Sequence, residues 1–278
     1  TISYIFISVS FDISITNGSP SISLRTALNG GSSASNSVNY TSSGSKTATL
    51  TATGNYVGVG FSEGDAPSNF TVSNFKILGK GFVSIWYDQS GNGNNAPQTN
   101  EGDQPKIVNS GSLVSNGINF DGLNDALDIP TDIISSINSA SAFVVAKSDT
   151  TSGSRAALAL SKNSPDFRFY IPVLVSSNFN FGYHDSATKI SLGSADTNKH
   201  LFTAIAGSSN AETFLDSTSK GTTSSADGKT ALTSGGIGSI DNTTFWDGQI
   251  EEIIIYNSDQ TVNRTKLETN IMNHYSIS

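Results

Sequence analysis

The chain has 278 residues, of which only 14% are charged, and its formal net charge at pH 7 is -8. Nucleic acids and anionic membranes bind clustered basic faces, so this balance, with Lys and Arg scattered, argues against both as partners. The chain contains no cysteine, which excludes disulfides, thiolate metal sites and cysteine nucleophiles and favours a bacterial or viral source.

Membrane insertion is not expected, because no apolar run approaches the roughly 20 residues that a spanning helix needs. The first ten residues are apolar but lack a basic segment and a cleavage site, so no signal peptide is expected. Abundant Ser, Thr, Asn and Gly are common in secreted, cell-surface and virion β proteins. The composition therefore favours an extracellular location, on a virion surface or a bacterial cell surface.

Residues 1–79 read as a series of short strands. Apolar residues alternate with polar ones from Ile5 to Ile15, which is the period of a strand with one buried face. Asn17 and Gly18 then supply turn chemistry. Near the end of this region the apolar phase slips by one residue between Val72 and Phe75, which predicts a β-bulge. Several short strands without a helix predict a small β-sandwich or jelly-roll module over residues 1–79.

Residues 80–278 follow without a linker and repeat this pattern on a larger scale, with about a dozen candidate strands. Asn116-Gly117 is a two-residue hairpin signal. Thr131 to Ile137 suggests a short helical turn. Ser258 to Tyr275 predicts a closing helix, capped by Ser258, with Leu267, Ile271 and Tyr275 on one face. The predicted fold is all-β: two β-sandwich or jelly-roll domains, divided at residues 79 and 80, the second ending in a helix.

The stretch Trp86 to Ala96, WYDQSGNGNNA, is dense in turn-forming residues. We expect Trp86 in the core, Asp88 accepting backbone hydrogen bonds within the turn, and Gly91 and Gly93 adopting conformations that other residues avoid. Gly91 and Gly93 lack the third glycine of a dinucleotide fingerprint, so a nucleotide site is not indicated.

With Gln104-Pro105, Phe120-Asp121-Gly122 and the segment Phe245 to Tyr256, this stretch resembles the laminin-G-like (concanavalin A-like) jelly rolls of secreted bacterial and phage structural proteins. The resemblance covers residues of about 80–278, and it implies a concanavalin A-like sandwich for the second domain. It leaves the function open, because the family includes lectins, hydrolase modules and passive spacers. The first domain is similar, more loosely, to jelly-roll modules that precede such sandwiches in phage virion proteins.

The WYDQSGNGN segment is also similar to one in the catalytic domain of fungal arabinofuranosidases. No catalytic carboxylate of those enzymes matches a motif here, and their disulfides have no counterpart. A glycosidase needs two carboxylates that flank the scissile bond. The sequence does not place any two of its candidates opposite each other: Asp88, Asp121, Asp125, Asp185, Asp247, Glu251 and Glu252.

Glycan binding needs an aromatic surface for the apolar face of a sugar and polar partners for its hydroxyls. Trp246-Asp247 and Tyr183-His184-Asp185 place both residue types at strand ends, and these five residues are the predicted glycan site. Trp246 precedes Gly248 in a loop-like setting and is predicted to be exposed. The alternative is that these aromatic residues belong to the core.

Calcium is the one cofactor suggested, because laminin-G-like domains often bind it through loop oxygens. Asp121, Asn124, Asp125 and Asp128 lie close together along one turn and form the predicted calcium site. Ordinary turns closed by Asp and Asn side chains would explain the same residues.

The sequence therefore predicts a non-enzymatic virion or cell-surface protein, of the phage fibre or capsid-decoration type, that contacts glycans. Its partners would be cell-surface or polysaccharide glycans and other virion or surface proteins, including copies of itself. Two alternatives remain: a carbohydrate-binding module of a secreted polysaccharide-degrading enzyme, and a structural spacer.

Overall fold

The computed structural model describes these residues: 4–18, 22–27, 34–53, 58–62, 69–109, 111–114, 117–134, 139–163, 166–183, 189–207, 210–224, 232–240 and 243–278. The chain divides into two compact units. The first comprises Thr1–Gly81 with Val108–Leu113, and the second comprises Phe82–Ile107 with Val114–Ser278. The division at residues 79 and 80 into independent domains stays a prediction.

The first unit contains two antiparallel sheets of three strands, with orders β4-β1-β6 and β3-β2-β5. Phe11 is buried in its core, and its ring meets Tyr40 of the second sheet edge-on, with centroids 5.2 Å apart. Val9 and Ile13 are also buried, so the predicted alternation is confirmed for this part of β1. The strands are β1 (Tyr4–Asn17), β2 (Ile22–Ala27), β3 (Ala34–Tyr40), β4 (Gly44–Thr53), β5 (Gly58–Ser62) and β6 (Asn69–Ile77).

The bulge predicted in β6 is present. Ser10 pairs with Lys76 and Asp12 pairs with Ser73, so β6 carries one extra residue. Asn74 lies there in the left-handed backbone region, with φ 51°, and its amide donates a 2.6 Å hydrogen bond to Asp12. Hydrogen bonds from Asn74 and Ser45 hold the pKa of Asp12 below its usual value.

The second unit is built on two larger antiparallel sheets. One runs β12-β25-β14-β19-β20-β21 and the other β13-β22-β15-β16-β17-β18. Its strands are β7 (Gly81–Phe82, which begins in the first unit), β8 (Ile85–Trp86), β9 (Ala96–Pro97), β10 (Lys106–Asn109, which ends in the first unit), β12 (Ile118–Asp121), β13 (Leu127–Asp128), β14 (Ala140–Ser148), β15 (Arg155–Asn163), β16 (Asp166–Val175), β17 (Asn178–Tyr183), β18 (Lys189–Ser194), β19 (Lys199–Ala206), β20 (Asn210–Leu215), β21 (Thr218–Ser224), β22 (Ser234–Ile237), β23 (Ser239–Ile240), β24 (Thr244–Phe245) and β25 (Asp247–Tyr256); β11 (Ser112–Leu113) belongs to the first unit.

The core of the second unit lies between these sheets. Val144 and Ala146 of β14 pack in one cluster with Phe169 of β16 and Phe181 of β17. Phe143 and Val145, which alternate with them along β14, face the other way, toward the C-terminal helix. A strand covered on both faces needs no polar alternation, which is why β14 is apolar throughout. The second unit is therefore a β-sandwich, and the all-β prediction is confirmed.

The predicted closing helix is present as α1 (Arg264–Tyr275), but its predicted start is wrong. Ser258 does not cap it, because α1 begins at Arg264 with Asn263 at the N-cap position. The Ser258 carbonyl instead accepts a 2.9 Å hydrogen bond from Ser141 of β14. Leu267, Ile271 and Tyr275 do pack together against β14 and β19, as their spacing predicts. For the short helix predicted at 131–137, Ile133 closes a turn on the Pro130 carbonyl, and residues 135–138 lie outside the described ranges.

The Trp86 to Ala96 stretch is a loop closed by β8 and β9, where Trp86 pairs with Ala96. Trp86 is partly buried and packs against the sandwich core. Asp88 accepts hydrogen bonds from the Ser90 backbone at 2.7 Å and the Asn94 backbone at 2.9 Å. Gly91 and Gly93 have φ of 86° and 80°. The expected roles of Asp88 and both glycines are confirmed, whereas Trp86 packs against the core instead of lying within it. Across the described ranges no helix is long and apolar enough to cross a membrane.

Candidate functional site

The aromatic residues of the predicted glycan site are buried. Trp246 and Tyr183 are each 0% exposed and belong to the sandwich core. The prediction that Trp246 is exposed is therefore wrong, and neither ring presents a face to solvent. Trp246 is held there by its backbone N–H, which donates to the Gly238 carbonyl at 2.8 Å. His184 and Asp185 lie outside the described residues.

Asp247, the remaining member of that set, begins β25 and pairs with Asp121 of β12. Burial raises the pKa of its carboxyl; the nearby Arg155 guanidinium opposes this rise, and Asp149 and Asp121 add to it. Gly122 lies so close that a Cβ there would be 2.7 Å from the Asp247 Cβ. Asp247 thus belongs to a crowded acidic corner, and its glycan role stays a prediction.

The predicted calcium residues divide into two places. Asp121 closes a turn by accepting hydrogen bonds from the backbone of Leu123 at 2.9 Å, and Asp125 accepts one from the Asp121 backbone at 2.9 Å. Asn124 donates to Asp103 at 2.7 Å. Asp128 is exposed on β13. These contacts are those of ordinary turns.

Within the described ranges, no group of three or more His, Cys, Asp or Glu side chains could hold a metal ion. Asp125 is the most unusual member of the calcium set: it is 4% exposed, and burial, with the neighbouring Asp121 charge, raises its pKa to about 6. A buried carboxyl with a raised pKa can be a protonated side chain, and it can equally be the ligand of a bound cation. Calcium binding stays a prediction.

A different site emerges on the outer face of the β25 sheet, next to the end of α1. It is an open cavity of about 520 Å³, here named the Glu251 pocket. Four segments far apart in the sequence converge on it. The pocket is lined by Gly117, Lys199, Glu251, His274, Tyr275 and Ser276.

A β-bulge turns two consecutive glutamates to the outer face of the sheet, and one of them, Glu251, lines this pocket. Val145 of β14 pairs with Glu252 of β25, but the next residue, Ala146, pairs with Ile250, so Glu251 is the extra residue. A bulge reverses the facing of the residues that follow it. Ile250 lies in the core before the bulge, and Ile253 lies there after it. Glu251 and Glu252 consequently both project from the outer face.

The polar groups of the pocket hold each other in place. The side chain of Glu251 is 5% exposed, and its carboxylate accepts a 3.3 Å hydrogen bond from the Lys199 ammonium. The same ammonium lies 5.7 Å from the centroid of the Tyr275 ring. Burial raises the pKa of Glu251, and the charge of Lys199 opposes that rise.

The hydroxyl of Tyr275 reports the electrostatic character of the pocket. Burial raises the pKa of Tyr275 to about 12, and the charges of Glu252 and Glu251, with a hydrogen bond to Glu252, add to the effect. Both glutamates therefore lie near this hydroxyl. The hydroxyl stays protonated at neutral pH and can donate one hydrogen bond.

Two backbone features shape the pocket wall. Gly117 has φ 130°, and a Cβ there would be 2.6 Å from the Ile250 carbonyl and 3.0 Å from the Glu251 Cγ, so only glycine lets the chain pass. Ser276 ends α1 in the left-handed region with φ 54°, and its N–H donates to the Met272 carbonyl. This termination places the last turn of the helix at the pocket.

From the sequence, Glu251 and Glu252 were candidate carboxylates without a predicted position, and the pocket was not predicted. A signal was present: the core-facing residues of β25 change from even to odd numbers between Ile250 and Ile253. The same kind of slip predicted the bulge at Asn74. The partners Lys199 and Tyr275 carry no comparable signal, because only the fold brings them to β25.

No protein-family model matches the chain, and no curated protein matches it. Among solved structures, the chain is similar to domain 4 of an extracellular arabinanase from Geobacillus stearothermophilus in complex with arabinotriose (12% identity, 67% of this chain and 81% of that one, TM-score 0.45). It is also similar to Trypanosoma rangeli sialidase (14%, 68% and 31%, TM-score 0.49) and to the botulinum neurotoxin serotype D binding domain (7%, 69% and 51%, TM-score 0.43).

This chain thus spans about a third of the sialidase and half of the toxin domain. The assignment of the second unit as a β-sandwich rests on its two sheets and their shared core. The narrower resemblance to laminin-G-like domains stays a prediction.

Proposed function

We propose that the second unit binds carbohydrate, and that the Glu251 pocket is its binding site. The observation that carries this proposal is the convergence of an aromatic ring, a carboxylate and an ammonium group on one open cavity, with a second carboxylate, that of Glu252, on the same outer face. The proposal keeps the predicted ligand class and moves the site from Trp246 to Tyr275.

The chemistry of the pocket matches that of a sugar. A sugar ring has an apolar face that packs on an aromatic side chain, and hydroxyls that need both acceptors and donors. Tyr275 offers ring and hydroxyl, Glu251 and Glu252 offer acceptors, and Lys199 offers a donor. Small-ligand sites usually measure about 300–1,000 Å³, so a cavity of about 520 Å³ suits about one or two sugar units.

The pocket is also preorganised. Its side chains stand on β19, β25 and α1 rather than on long loops, and the Lys199–Glu251 contact fixes two of them before a ligand arrives. Sites held on regular elements lose less conformational entropy on binding. Binding of this kind would serve a virion or cell-surface protein and an accessory module of a polysaccharide-degrading enzyme equally well, and the proposal covers both settings.

A glycan array, run with calcium and again with a chelator, identifies ligands and tests the calcium prediction at the same time. Titration calorimetry with the best ligand then tests the site. Tyr275→Ala and Glu251→Gln should each weaken binding about tenfold, the scale of a stacking contact or a charge-assisted hydrogen bond. Circular dichroism verifies that each variant is folded.

Matched controls exist on the same unit. Tyr87 is 61% exposed and Glu101 is exposed, and neither lines the pocket. Tyr87→Ala and Glu101→Gln should leave the affinity unchanged. Absence of any glycan ligand, or equal affinity of both pocket variants and the parent protein, would overturn the proposal.

A further inference from the structure

We propose that the Glu251 pocket prefers sugars with a free amino group over neutral sugars and rejects sugars with a carboxylate. This inference rests on the proposed function, because it names the class of sugar that the same pocket accepts.

The charges around the pocket favour a cationic ligand. Glu251, Lys199 and His274 line the pocket, and Glu252, which pairs with Val145, projects from the same outer face of the sheet. Lys199 is already engaged by Glu251 at 3.3 Å. Glu252 forms no ion pair among the described residues, and its charge is one of the causes that raise the pKa of Tyr275. One negative charge is therefore left unbalanced beside the cavity.

The end of α1 adds to this negative field. The last carbonyls of a helix carry a partial negative charge of roughly half an electron, and α1 ends at Tyr275, on the pocket wall. Ser276 N–H satisfies the Met272 carbonyl, and the following Ile277 N–H also donates to it, at 2.9 Å. The other carbonyls of the last turn receive no such hydrogen bond in the described contacts.

The consequences for a ligand follow from its charge. A protonated amine can donate to Glu252 and gains from the field, whereas a sugar carboxylate would need desolvation next to two glutamates. If Lys199 paired with the sugar carboxylate instead, Glu251 would be left almost fully buried without a counter-ion. A neutral sugar experiences neither effect, so its affinity should lie between that of an amino sugar and that of an acidic sugar.

The test compares three tetrasaccharides: glucosamine, N-acetylglucosamine and galacturonic acid oligomers. At pH 6.5 the amino oligomer should bind about tenfold more tightly than the acetylated one, the scale of one charge-assisted hydrogen bond, and the uronate should show no binding. Glu252→Gln should remove the preference for the amine, so that the variant binds the amino and acetylated oligomers with equal affinity. Glu212→Gln on β20, outside the pocket, is the matched control and should change neither affinity.

The outcomes separate this inference from the function it rests on. Tighter binding of the uronate, equal binding of the amino and acetylated oligomers, or a preference that survives Glu252→Gln would overturn the inference while leaving glycan binding in place. Binding of none of the three, with no ligand on the wider array, would overturn the proposed function as well. Amine preference lost in Glu252→Gln and retained in the control supports both.

Discussion

Replacing Asp125 by Asn should stabilise the second unit at neutral pH. Asp125 is 4% exposed, and burial together with the Asp121 charge raises its pKa from 3.8 to about 6. The folded state therefore binds its proton more tightly than the unfolded state does. Stability falls as pH rises from about 4 to about 6 and is constant above that, because the ionised carboxylate is the disfavoured form.

The magnitude follows from the shift. A difference of about 2 pKa units corresponds to about 3 kcal/mol of free energy of unfolding, an upper limit for what Asn can restore at pH 7. The amide oxygen of Asn can still accept the 2.9 Å hydrogen bond from the Asp121 backbone. The variant should thus lose the pH dependence and keep the turn.

The assay is urea unfolding between pH 4 and pH 8, followed by tryptophan fluorescence. Both tryptophans, Trp86 and Trp246, lie in the second unit, so the signal reports on that unit alone. Asp128→Asn, at the exposed end of β13, is the control and should follow the parent protein. If Asp125→Asn kept the parent's slope between pH 4 and pH 6, or unfolded more easily at pH 7, the reasoning would be refuted. If calcium binds at Asp125, it should stabilise the parent protein at pH 7 far more than the variant.

Three further changes test other parts of the fold. Burial lowers the pKa of His200, but hydrogen bonds to two aspartates, one at 2.6 Å to Asp216, outweigh it and raise the pKa above 6.5. The stabilisation by protonated His200 is complete below pH 6.5 and is lost as pH rises through the folded pKa. The urea midpoint of His200→Gln should therefore drop less than that of the parent protein between pH 6 and pH 9. Gly238→Ala places a Cβ 2.3 Å from the ring of buried Phe120 and should cost at least about 2 kcal/mol in the same unfolding assay; an unchanged midpoint would contradict the packing. Both Asn74→Ala and Asn74→Gly lose the amide hydrogen bond to Asp12, but only alanine resists the left-handed backbone. Asn74→Ala should therefore be about 1 kcal/mol less stable than Asn74→Gly and exchange the amides of β6 faster, as measured by mass spectrometry; equal exchange in both variants would show that the backbone carries no strain.

The features predicted correctly are those fixed by local chemistry. The alternation of apolar and polar residues predicted the buried face of β1, and the phase slip near Val72 predicted the bulge at Asn74. The Asp88 turn follows from the preference of Asp for nearby backbone N–H groups. In each case the cause lies within a few residues, and one sequence is enough to read it.

Trp246 shows where the same rules mislead. Gly248 next to it suggested an exposed loop, but this glycine has φ 143°, and a Cβ there would be 2.1 Å from the Lys147 carbonyl. The glycine marks a close approach of two strands in a sheet, which buries the neighbouring indole. A glycine that permits a turn and one that permits close packing look alike in a sequence.

The Glu251 pocket was out of reach for a different reason. Lys199, Glu251 and Tyr275 come from two strands and a helix that the fold brings together, and no spacing in the sequence relates them. Their polar character was visible, but Lys and Glu residues are ordinarily solvated surface groups. Only the packing of α1 against the sheet turns them into a site.

The extra residue in β25 determines both the pocket and the face from which the following side chains of the strand project. Ile253 and Ile255 reach the core, and Ile254 and Tyr256 reach α1, only because Glu251 has been inserted before them. Substitutions at Glu251 change the pocket alone, whereas loss of one codon there would turn every following side chain to the opposite face. New binding specificities are therefore best sought in libraries of fixed length, and a relative with a gap at this position would lack both the pocket and this register.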